Sequence, residues 1–209
     1  GSNYCFSTLG YSELSLHEAA YLAERHGITS VELRALSGTI DLIAALVAEF
    51  GAPARFAAFL TERNVRIAAL NTSMRLFGSS SLSELDPFID WAEAADIAYL
   101  RIFDGGKKIG PEELDRAAAL LDEWQVLRQS RGLNVELMIE THDALADFDQ
   151  LLAFLKYVPT ARILWDTHHT WARGSDQTGR PSCRARVQIS VAAVSSKKTH
   201  HHVTPTPPL

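Results

Sequence analysis

Cysteine is scarce in this chain. There are two, Cys5 and Cys183, far apart and outside any paired motif. That excludes a disulfide framework and fits a reducing, cytoplasmic compartment. Long apolar runs are missing too, and none approaches the roughly 18 residues of a membrane span. The N-terminus has neither the basic region nor the long apolar region of a signal peptide. Positive charge is not in excess: the net charge is −5 and the pI about 5.9. The sequence therefore lacks the electrostatic footprint of a nucleic-acid or acidic-membrane binder. No Gly-x-Gly-x-x-Gly follows the first apolar run, so a dinucleotide-binding reading lacks its usual signal. Acidic residues stop altogether after Asp176.

What is present is a regular alternation. Apolar, β-rich runs fall at 4–9, 30–34, 65–71, 98–103, 135–140 and 162–166. Helical patterns separate them, as in successive strand–helix units of about 30 residues. Ser15 with Glu18 reads as a capping box, and Gly27 can close that helix in a left-handed turn. Leu16, Ala19, Ala20 and Ala23 recur at helical spacing. Asp86-Pro87 and Gly110-Pro111-Glu112 read as helix starts, and Phe148, Leu151, Leu152 and Leu155 as another helical stripe. Six strands alternating with helices predict an α/β fold, a parallel sheet covered by helices. On pattern alone the sheet is either open and doubly wound or closed into a barrel.

The chain divides into a core at residues 1–171 and a tail at 172–209. The tail is basic and rich in Ser, Thr and Pro, with one strand-like run at 186–194. It reads either as a frayed terminus or as the product of an altered reading frame. The triplet His200, His201 and His202 falls within it and reads as incidental.

Chemistry concentrates where strands end. The fifth run ends in Glu140, followed by Thr141, His142 and Asp143. The sixth ends in Asp166, followed by His168 and His169. The fourth ends near Arg101 and Asp104. In a parallel barrel the C-terminal strand ends carry the catalytic groups. Neighbouring strands lie about 4.8 Å apart, so Glu140 and Asp166 can converge on one point. Two buried carboxylates repel, and a divalent cation relieves both. Asp166 thus reads as a metal ligand with His169 beside it. The competing reading makes Asp166 an N-cap for the next helix. Glu32 and Arg34 on the second strand are either a structural ion pair or substrate contacts. His142, His168 and Arg101 complete the set of substrate-contact candidates.

Four stretches carry a resemblance to a known family: SVELR (30–34), YLRIFDGG (99–106), LMIETHDAL (137–145) and ILWDTHHTW (163–171). Over about residues 4–171 the sequence resembles the sugar phosphate isomerase/epimerase family, the xylose isomerase-like barrels that also include endonuclease IV. The resemblance implies an eight-stranded β/α TIM barrel. It makes Glu140 a metal ligand and acid/base group, Asp166 a second ligand, and His169 a catalytic neighbour touching substrate. The implied cofactor is a divalent cation, Mn, Mg, Co or Zn. The implied reaction is isomerisation or epimerisation of a sugar or sugar phosphate by proton transfer beside a carbonyl. The implied partner is thus a small sugar, with no nucleic acid and no membrane, and the chain could form a homo-oligomer.

This sequence also departs from the family. Gln188 stands where a strand-seven histidine is expected, and no strand-eight glutamate follows. A barrel of about 250 residues is typical, so the expectation is an incomplete barrel of six to seven strands with an open edge. Two other readings stand beside the isomerase. One is a degenerate barrel that binds a small ligand or partner without turnover. The other is an endonuclease IV-like abasic-site repair enzyme, which the net negative charge and histidine-poor strands oppose.

Overall fold

The structure is a computed structural model. It describes residues 5–166, together with the backbone of a strand at 186–190. Six strands form one parallel sheet in sequential order: β1 (Cys5–Ser7), β2 (Ser30–Leu33), β3 (Arg66–Phe77), β4 (Tyr99–Gly105), β5 (Glu136–Glu140) and β6 (Arg162–Asp166). Helices α1 (Leu16–Arg25), α2 (Leu42–Phe50), α3 (Pro53–Arg63), α4 (Asp86–Ala94), α5 (Pro111–Arg131) and α6 (Phe148–Tyr157) lie in the crossovers. Sequential parallel pairing with a helix in each crossover is the construction of a β/α barrel. With six parallel strands, the described residues form a half-barrel.

The sequence signals behave as their physics requires. Ser15 accepts the backbone N–H of Glu18, and the Glu18 carboxylate accepts the N–H of Ser15. Leu16, Ala19, Ala20 and Ala23 are all buried. Gly27 is left-handed at φ +64° and ends that helical segment. Gly110 and Pro111 open α5. Trp124 on α5 donates to Glu136 at 2.7 Å, and Arg128 bonds the same carboxylate. These bonds fasten the long helix to the start of β5 and so fix the strand that carries Glu140.

Some expectations need correction. β3 runs six residues past the expected end, because Thr72–Phe77 continues alongside β4 after a register shift. Asp86 lies inside the first turn of α4 rather than capping it; Ser81 with Glu84 caps the short 3-10 turn before it. On α6 the buried residues are Leu151 and Phe154, while Phe148 and Leu152 face outward. The strand expected at 186–194 is β7 (Arg186–Ser190), and it pairs with β6 antiparallel, Gln188 opposite Leu164. It is therefore not the seventh parallel strand of a barrel.

Strand alternation sorts side chains onto two faces. Val31, Leu33, Ile67, Leu70, Leu100, Ile102, Leu137, Ile139 and Ile163 join the large core under the helices. Ala69, Met138 and Leu164 form a small apolar cluster on the inner face, with Tyr99 against it. Above that floor the inner face turns polar, toward the C-terminal ends of the strands.

Candidate active site

Glu140 is the centre of the polar inner face. It ends β5 at the parity of Met138, so it points inward, and only 1% of it is exposed. Arg101, on β4 and wholly buried, makes an ion pair with it. Arg34, just beyond β2, reaches the same carboxylate at 3.3 and 3.5 Å. One carboxylate thus meets two guanidiniums delivered by two other strands. Removing Glu140 would leave two buried guanidiniums without their shared acid, which proteins tolerate badly.

Each arginine is held from behind. Thr8, in the turn after β1, accepts the backbone N–H groups of Arg34 and Ala35 at 2.9 and 3.2 Å. Thr72 donates to the Arg101 carbonyl at 2.8 Å. The Arg101 guanidinium lies 4.0 Å over the Phe103 ring, two residues along the same face. That stacking is a cation–π contact in a water-poor setting, where it is strongest. Glu32 occupies the inner face of β2 and is 6% exposed, so the described part of this face holds two acids and two arginines.

Asp104 has a different task. It is fully buried and accepts the backbone N–H groups of Gly105, His142, Asp143 and Leu145 at 2.8–3.1 Å. It ties the end of β4 to the loop after β5. Burial pushes its carboxyl above the ordinary value of 3.8; the backbone bonds, that of Asp143 first, pull the other way. The His142 ring, held on this loop, stands at the exposed rim 5.4 Å from Phe103.

The sequence-based set is thus partly assembled. Glu140, Arg101 and Arg34 converge, Glu32 shares their face, and His142 stands at the rim. Asp166 ends β6 two residues beyond Leu164, the register partner of Glu140. It therefore occupies the same face one pleat higher, though its side chain lies outside the described residues. His168 and His169 also lie outside them. Two acidic positions ending adjacent strands suit the oxygen chemistry of a divalent cation. Among the described residues no cluster of three His, Cys, Asp or Glu forms. A cation at Glu140 would share that carboxylate with Arg101 and Arg34. Sequence reasoning missed Asn71, which stands on the inner face of β3 in register with Arg101. It closes the third apolar run, but a neutral amide there carries none of the charge that singled out Glu140 and Asp166.

A parallel half-barrel with buried acid and arginine groups at its C-terminal strand ends defines a protein of the β/α-barrel class. The chain belongs to the xylose isomerase-like TIM barrel family, whose profile matches residues 20–207. No curated protein matches it. Several solved structures share the fold, three of them as follows. The IolI protein, with a bound zinc atom, is 18% identical with a TM-score of 0.64; the match covers 84% of this chain and 66% of that one. The probable 3-DHS dehydratase AsbF from Bacillus anthracis is 17% identical, also at 0.64, over 84% and 66%. An AP endonuclease, family 2, from Brucella melitensis is 14% identical at 0.52, over 84% and 72%. The chain therefore spans 66% of the length of each of the first two.

Proposed function

We propose that this barrel serves an isomerase or epimerase that moves a proton beside the carbonyl of a sugar or sugar phosphate. The carrying observation is Glu140, buried at the C-terminal end of β5 between Arg101 and Arg34. The family and the zinc-bearing IolI neighbour support the reading. In the proposed step the Glu140 carboxylate takes a proton from the carbon next to the carbonyl. The electron pair left behind moves onto the carbonyl oxygen, giving an enediol(ate). Returning the proton to the former carbonyl carbon, while the hydroxyl proton passes from its oxygen to the former carbonyl oxygen, isomerises the sugar; returning it to the opposite face of the same carbon epimerises it. Fixed guanidiniums beside the developing oxyanion stabilise it without reorganising, which is where such donors are worth most. His169 completes the proposed catalytic pair, with His142, His168, Glu32, Arg34 and Arg101 as substrate contacts. Glu140 and Asp166 would hold a divalent cation, Mn, Mg, Co or Zn, which would supply Lewis-acid polarisation of the sugar oxygens.

The test is exchange of sugar carbon-bound hydrogen in heavy water, followed by NMR, alongside thermal midpoints with and without Mn²⁺, Mg²⁺, Co²⁺ or Zn²⁺. The expected result is exchange that disappears in Glu140→Gln. A metal-induced rise in midpoint, lost in Glu140→Gln and Asp166→Asn, supports the cation site. No exchange with any sugar of a ketose and aldose panel overturns the isomerase reading. One observation favours a second reading, a barrel that binds without turnover: β7 runs antiparallel to β6 and so supplies no parallel seventh strand. Sugar binding without exchange is its signature. Nicking of abasic DNA would instead point to repair chemistry.

A further inference from the structure

We infer that Asn71 is a specificity-determining contact that accepts a hydrogen bond from a hydroxyl of an uncharged, unphosphorylated sugar. The inference rests on the proton-transfer reading of the same site and narrows its substrate class.

The argument begins with register. Ala69 belongs to the inner apolar cluster, and Asn71, two residues on, shares its face. Asn71 pairs with Arg101 on β4, while on the other side Leu33 pairs with Leu70, which puts Arg34 beside it. Arg34 and Arg101 both reach Glu140. Asn71 therefore sits between the two arginines, on the wall facing the acid.

Its hydrogen bonding is incomplete. The Asn71 Oδ1 is buried and has no hydrogen-bond partner. A buried amide oxygen without a donor is uncommon in folded proteins and calls for a water or a ligand. A sugar hydroxyl is a suitable donor: it gives one hydrogen and can accept from the adjacent guanidinium. An amide discriminates strongly between a substrate with that hydroxyl and one without it, since the latter leaves the oxygen unpaired.

Charge narrows the ligand further. Among the described residues the buried inner-face charges are Glu32, Glu140, Arg34 and Arg101. Two negative and two positive groups cancel; Asp166 on the same face with the divalent cation proposed there would leave a surplus of about one positive charge, short of a phosphate dianion. A phosphate brings nearly two permanent negative charges and would draw both arginines off Glu140, whereas the oxyanion of the proposed reaction is a single transient charge that they can share with the acid. A neutral ketose draws off neither.

The experiment uses the full chain with 15N-labelled asparagine and the neutral ketoses D-fructose, D-tagatose and D-xylulose, with D-fructose 6-phosphate as the charged comparison. Asn71→Leu keeps the side-chain shape and removes the amide. The side-chain amide resonances absent from the Asn71→Leu spectrum belong to Asn71. They are expected to shift with a neutral ketose, which should bind at least tenfold more weakly to Asn71→Leu. The thermal midpoint of that variant should be unchanged or higher, because an unsatisfied buried polar atom has gone. A purely structural Asn71 would instead lower the midpoint and leave affinity alone. Unmoved Asn71 resonances, unchanged affinity in Asn71→Leu, or tighter binding of the phosphate each overturn the inference. Deuterium exchange in the same samples reports the reaction separately. Shifted resonances without exchange sink the proton-transfer reading and leave Asn71 as a sugar contact. Exchange with unmoved resonances does the reverse, and no response to any ketose sinks both.

Discussion

Arg34 and Glu140 are 106 residues apart in sequence and 3.3 Å apart in space, and their contact crosses the inner face over β3 and β4. It ties the second strand to the fifth with a charge-assisted bond. Together with Arg101 it makes the acid part of the scaffold as well as part of the site.

That double role predicts a large cost for breaking it. Arg101→Met should destabilise the chain by up to about 3–5 kcal/mol, the range for breaking a buried ion pair, because only the longer Arg34 contact would remain on the acid. Arg34→Met should cost less, because Arg101 would still meet the acid. Urea unfolding measures both; a loss below about 1 kcal/mol for Arg101→Met would show that the pair is not closed in solution.

Asp104 should leave a signature in pH. Burial, its leading influence, raises its folded carboxyl above 3.8. The folded state therefore keeps a proton that the unfolded chain releases. Its contribution is fully present below pH 3.8 and is lost as pH rises through the folded value. The stability difference between wild type and Asp104→Asn should accordingly shift against wild type across that window. A pH-independent difference would mean that the four backbone N–H groups just offset burial, and a shift in favour of wild type that they outweigh it. NMR of the loop amides of His142, Asp143 and Leu145 should follow the same titration.

Gly105 carries the turn out of β4. Its φ is +68°, and an added Cβ would stand 2.9 Å from the Phe77 carbonyl oxygen. Gly105→Ala must bear both left-handed strain and that clash, so a loss of more than about 1 kcal/mol is expected. Denaturant midpoints would show it. A neutral substitution would mean that β3 and β4 separate easily beyond Asn71.

The α1 cap offers a smaller and cleaner test. Ser15→Ala should cost about 1 kcal/mol. The Ser15 backbone N–H, then its hydroxyl, hold the Glu18 carboxyl below 4.5. The benefit of Glu18 is therefore present above pH 4.5 and lost as pH falls through its lowered value. Glu18→Gln should destabilise the chain near neutrality and converge with wild type in acid, by thermal midpoint. Parallel curves at every pH would contradict the capping box.

All six parallel strands were legible because each is an apolar run bounded by helical punctuation, and burial on both faces demands that composition. The continuation of β3 was not. Thr72, Ser73 and Arg75 break the apolar pattern, and only pairing with β4 carries that stretch as strand. Glu140 was legible as a strand-end acid. Its bond to Arg101 was not, since nothing local in a sequence announces a contact spanning 39 residues. Asn71 stayed hidden for a plainer reason: an amide at a strand end looks like a loop residue until its register is known. The stripe on α6 misled because Phe148 and Leu152 continue the apolar pattern beyond the face that the sheet covers.

The reversal at β7 decides which end of the sheet each of its residues serves. Arg186 pairs with Asp166 at the pole where Glu140 and the arginines gather, and Ser190 pairs with Arg162 at the opposite pole. Every preceding strand brings the backbone up toward that chemical pole; β7 starts there and carries it down. A seventh strand laid in this sense offers the site its first residue instead of its last, so the position that borders the acids is an arginine and not a histidine.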